Sequence, residues 1–126
     1  MISNKKLLAE AEKVGKLLVC VSSLIQQGLR SSYPGLSSLL LLRFRLLGID
    51  PQTGLMSNVD EYIRTLVQLV GDEKTAEYIL YSVLPKKKVF EKVIKITLYA
   101  RNDVTEALLK LMREYEKDIR AACGDF

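Results

Sequence analysis

The chain has 126 residues, 48% of them apolar and 27% charged, with a net charge of +4; this describes one globular domain spanning 1–126, excludes a disordered chain, and admits anionic partners without requiring them. Histidine and tryptophan are absent and there are two cysteines, which excludes histidine triads, histidine metal sites and a disulfide framework. Lys, Glu and Leu abound beside three Asn and four Gln, a composition that leans toward a thermophile.

The first predicted helix is capped by Ser3 or Asn4. Leu7, Leu8, Ala11, Val14, Leu18, Val21 and Ile25 recur at three- and four-residue steps on one face, and Gly28 supplies a stop. Leu17, Val19 and Leu24 widen the stripe, so the second half is expected to be buried on more than one side. The N-terminal charges interrupt any apolar run, so no signal peptide is read and an intracellular (cytoplasmic) protein, or one carried within a virion, is expected. Arg30 to Gly35 reads as a turn.

Next comes a helix over about 35–47, with Pro34 at its first position and Gly48 just past its end. Leu36, Leu39, Leu40, Leu41, Leu42, Phe44, Leu46 and Leu47 cover every side of it. It falls short of the roughly 20 apolar residues that span a bilayer. A helix that is apolar all round must be covered all round, so it is expected at the centre of the bundle, with self-association helping to cover it. Arg43 and Arg45 stand about 200° apart on it and are expected to snorkel to the surface.

Ile49 to Gly54 is a loop, followed by a helix with Val59, Ile63, Leu66, Val67 and Val70 inward and a capping box from Ser57 or Asn58. That helix stops at Gly71. Asp72 caps a fourth, with Ala76, Ile79, Leu80 and Val83 inward. Pro85 precedes a fifth helix running to about Arg101 with Val89, Phe90, Val93, Ile94 and Thr97 inward. Asn102 and Asp103 interrupt it. A last helix carries Val104, Ala107, Leu108, Leu111, Met112, Tyr115, Ile119 and Ala122, with Asp103 and Glu106 as its capping box. No segment alternates with period two, so the fold class is all-α: a compact bundle of five or six helices.

Chemistry-bearing residues are sparse. Cys20 lies in the apolar run Leu-Leu-Val-Cys-Val and reads as a buried small hydrophobe. Cys123, in the last turn before Gly124, reads as a thiol nearer water. The acids Asp60, Glu61, Asp72 and Glu73 begin helices, where they stabilise the macrodipole. Gly71 to Thr75 has no phosphate-loop spacing. No catalytic residue, metal ligand, cofactor or small-molecule substrate is assigned.

The basic residues carry more information. Lys86, Lys87, Lys88, Lys92, Lys95 and Arg101 face a single acid, Glu91, across the fifth helix. Lys88, Lys92 and Lys95 stand at i, i+4 and i+7, and Tyr99 extends that face; Tyr78 and Tyr81 lie just before the run. Cationic side chains beside aromatic rings suit a phosphate backbone with stacked bases, so Lys86, Lys87, Lys88, Lys92, Lys95, Tyr99 and Arg101 are the candidate nucleic-acid-binding set, with Tyr78 and Tyr81 as nearby rings. The rival reading is a solvated lysine face with packing tyrosines; a basic amphipathic helix on a membrane surface is a third.

In size, helical character, mild basicity and lack of catalytic groups, the chain resembles the small helical subunit of CRISPR effector complexes and the coat protein of archaeal filamentous viruses. No motif carries the resemblance, so no residue role transfers. It implies a non-enzymatic subunit that self-associates and grips nucleic-acid backbone without reading sequence, with nucleic acid and protein subunits, not membrane, as partners. The alternative is a helical protein–protein interaction module.

Overall fold

A computed structural model gives the tertiary structure and describes residues 4–57, 59–100 and 104–124. Among the described residues the fold is all-helical with no strand: α1 (Asn4–Ser32), α2 (Pro34–Leu47), α3 (Gly54–Ser57), α4 (Val59–Val70), α5 (Glu73–Val83), α6 (Lys88–Tyr99), α7 (Val104–Glu114) and α8 (Glu116–Cys123). The expected caps at Ser3, Asn58 and Asp103 lie outside the described residues, as do Arg101 and the side chains of Asn4, Leu7, Leu8, Ser57 and Val59.

The centre of the bundle is α1, not α2. The long helix packs against α2, α3, α5, α7 and α8, and its Leu17, Val21, Ile25 and Leu29 are buried. It runs through Gly28, where a stop was expected. A Cβ at Gly28 would lie 2.5 Å from the Val83 Cβ and 2.7 Å from the Val83 carbonyl oxygen. Glycine is there because α1 and the end of α5 touch backbone to backbone. The turn expected over Arg30 to Gly35 shrinks to Tyr33, since Pro34 denies the residue before it the helical region while both flanks stay helical.

The apolar helix α2 lies at the edge of the bundle, against α1 and α4. Two neighbours cover about half of its circumference. Ser37, Leu40 and Phe44 are buried, and the Phe44 ring meets Tyr62 with centroids 4.5 Å apart. Leu39, Leu42, Leu46 and Leu47 are 54, 51, 74 and 50% exposed. The expectation of a central, enclosed helix is thus corrected: periodicity shows what a helix could bury, while the number of neighbours decides what it does bury. Its end is as read. Gly48 adopts φ 73°, its N–H donates to Arg45 O, and the Ile49 N–H donates to Phe44 O at 2.8 Å, which is a Schellman closure.

α4 stops at Gly71, and the Thr75 N–H donates to Asp72 Oδ1 at 2.7 Å, the expected cap of α5. That backbone donor holds the Asp72 carboxyl below its ordinary range. α6 buries Val89, Phe90, Val93, Ile94 and Thr97, as the spacing requires. The expected final helix is bent in two at Tyr115, whose φ of −118° and ψ of 32° leave helical geometry while the flanking i→i+4 bonds persist.

The reading of both cysteines is corrected. Cys20 and Cys123 form a disulfide across a sequence separation of 103, with Cα atoms 5.8 Å apart, well within bridging range. Cys20 is half-buried, not enclosed. Tertiary packing of α8 on α1 makes the pair, and no local signal in the sequence does.

Candidate functional site

The outward face of α6 lies between α5 and α7, which pack on either side of it. Lys88 and Lys95 on that face are exposed, Lys92 is half-buried, and Lys86 and Lys87 stand exposed where the chain enters the helix. The spacing thus brings Lys88, Lys92, Lys95 and Tyr99 onto one face. The ion pairs found among the described residues lie elsewhere, Arg113 to Glu10 at 2.9 Å and Arg120 to Glu116 at 2.8 Å, so none of these five lysines is charge-paired there.

Carboxylates enter the same face from its neighbours. On the α5 side, Glu77 accepts from Tyr99 Oη at 2.6 Å on one oxygen and from Tyr81 Oη at 3.0 Å on the other. Those donors hold the Glu77 carboxyl below its ordinary value, with the charges of Lys74 and Lys95 adding to the effect. The same bond pushes the Tyr99 phenol up to about 12. Burial first, and then Glu77, raise Tyr81. Of the three tyrosines expected to stack on bases, two therefore have their hydroxyls fixed on an acid. Tyr78 is 70% exposed.

On the α7 side, the Lys92 ammonium lies 5.0 Å from the centroid of the Tyr115 ring, a cation–π distance. Contact with Tyr115, then the charge of Glu114, favours its charged form. Between α6 and α7 runs an open groove of about 290 Å³, lined by Ile96, Ala107 and Leu111 together with Lys92, Lys95, Lys110 and Glu114. The lysine face therefore carries Glu77, Glu91 and Glu114 within it, and its field is weaker than the lysine count alone implies.

Sequence reasoning did not single out Glu77, Lys110 and Tyr115. The Glu77–Tyr81 pair was visible as an i, i+4 spacing. The other two join the face because α7 folds back on α6, which no local pattern records.

A second surface is the exposed side of α2. Leu39, Leu42 and Leu46 stand at i, i+3 and i+7 with Leu47 beside them. Arg43 and Arg45 are both exposed, as snorkelling requires, and α2 contains no acid. Among the described residues no group of three His, Cys, Asp or Glu side chains could hold a metal ion, and no helix is long and apolar enough to cross a membrane.

Comparison of the chain with models of known families, with curated proteins and with solved structures finds no match. The functional reading therefore rests on these two surfaces.

Proposed function

We propose that this protein is a non-catalytic helical subunit that works by docking onto other protein subunits through the exposed face of α2. The observation that carries this reading is the exposure of Leu39, Leu42, Leu46 and Leu47 on one well-formed helix. Burying a leucine side chain is worth about 1.5–3 kcal/mol, and contiguous exposed apolar surface of this kind marks contact sites. The test is the size of the chain in extracts of its own cells. The native chain should elute as part of a larger assembly, and Leu42→Glu with Leu46→Glu should release it as a folded monomer. A native chain that elutes as a monomer throughout overturns the reading.

A second reading, a grip on nucleic-acid backbone, is favoured by the exposed Lys86, Lys87, Lys88 and Lys95, none of which forms an ion pair among the described residues. Its base-stacking component is weakened by the commitment of Tyr81 and Tyr99 to Glu77. A salt titration separates the two readings. Backbone contacts make log K fall steeply with log salt, and each lysine changed to Gln should lower that slope by about one unit. A disulfide persists in oxidising compartments and inside hyperthermophiles. An intracellular location and a thermophilic source, both suggested by the sequence, fit Cys20–Cys123 together as one proposal.

A further inference from the structure

The geometry points to a particular occupant for α2: an amphipathic helix of another protein that carries an apolar stripe with acidic residues beside it. This rests on the reading of α2 as a contact face and adds the chemistry of the partner. Three features of the face select it.

The first is the seam. Leu39, Leu42 and Leu46 recur at steps of three and four, the spacing at which side chains interlock between two packed helices. Gly35 lies one further step before them, exposed, and a Cβ there would meet nothing within 4 Å. The seam therefore ends in a flat spot where a partner's backbone fits closely.

The second is the charge. Arg43 falls about 40° past Leu39 and about 40° short of Leu47 around the helix, so a guanidinium stands inside the leucine arc. Arg45 flanks the opposite side, and no acid of α2 answers either. An arginine within a contact face requires a carboxylate across from it once water is removed. An anionic lipid surface offers phosphate to the same guanidinium, and vesicle flotation separates it from a protein partner.

The third counts against a symmetric pairing of α2 with itself. In an antiparallel pair of α2 helices related by a two-fold axis near Leu42, Arg43 of one chain would meet Arg43 of the other, and α2 has no acid to relieve them. Like charges across an interface oppose association. A partner with Glu or Asp beside its apolar stripe meets the seam and both arginines at once.

The test uses the full chain and two synthetic helical peptides with leucine at the seam positions, one flanked by glutamate and the other by lysine. The glutamate peptide should bind, and the lysine peptide should bind more weakly by about tenfold or more. Leu42→Ser with Leu46→Ser should abolish glutamate-peptide binding while leaving the melting temperature unchanged, because both side chains are exposed. Arg43→Glu with Arg45→Glu should reverse the preference between the peptides. Equal binding of both peptides, or binding of neither, overturns the acidic-helix assignment. So does self-association in sedimentation, or flotation with phosphatidylserine vesicles, if Leu42→Ser removes it. Self-association through α2 would still leave the docking reading standing. Elution of the native chain as a monomer from its own cells would remove both.

Discussion

Glu77 sets how the α6 face responds to pH, because both of its oxygens are occupied by tyrosine hydroxyls. Its carboxyl is depressed from 4.5, so its contribution to stability is present above 4.5 and is lost as pH falls through the lower folded value. Tyr99 is raised from 10.0 to about 12, so its share is complete below 10.0 and is lost as pH rises through about 12. The cluster therefore adds its full share across neutral pH. Glu77→Gln should return the Tyr99 phenolate transition toward 10.0, read as ultraviolet absorbance during alkaline titration, with Tyr99→Phe identifying that transition. An unchanged transition in Glu77→Gln would show that the tyrosine stands free of the acid. At this scale the lysines and tyrosines were legible as a face from their spacing. The partners of Tyr99 and Lys92 were not, because Glu77 lies on α5 and Glu114 on α7.

α2 separates propensity from placement. Its caps follow from Pro34 and Gly48, both visible in the sequence, and it forms where they say. Which of its leucines count for stability follows from its position at the edge. Leu40 is fully buried, so Leu40→Ala should cost about 2–5 kcal/mol. Leu42 is 51% exposed, and Leu42→Ala should stay within about 0.5 kcal/mol. Chemical denaturation of the two variants checks the pair. A comparable loss at both positions would mean that the second face is covered within the chain. The leucines differ in burial although they are neighbours in a run of four identical residues, so no composition-based reading could rank them.

For the whole molecule, the disulfide matters most, because it ties the end of the chain to the middle of its longest helix. Within α8, Ile119 is the buried side chain, and the Glu116–Arg120 pair is exposed and internal to the helix, so it adds little. The cross-link therefore supplies much of what holds α8 on α1. Closing a loop of about 100 residues removes roughly 4–5 kcal/mol of chain entropy from the unfolded state on the entropic account. Reduction should lower the melting temperature by about 10–20 °C, at the scale of a few degrees per kcal/mol. Cys123→Ser should reproduce the shift without reductant. A melt indifferent to reductant would show that the thiols are not joined.

The sequence by itself determined the all-helical class, the inward faces of α5, α6 and α7, and the ends of α2 and α5, because helical period, glycine in the left-handed region and aspartate capping are local effects. It also placed Lys88, Lys92, Lys95 and Tyr99 on one face, since that follows from helix geometry alone. Tertiary structure decided that α1 and not α2 lies at the centre, that Gly28 is a contact point and not a stop, that Cys20 and Cys123 meet, and that Glu77 on α5 reaches Tyr99 on α6. Each of these depends on which helices become neighbours. Neighbours are chosen by the summed burial of the whole chain, a quantity that no single stretch of residues contains.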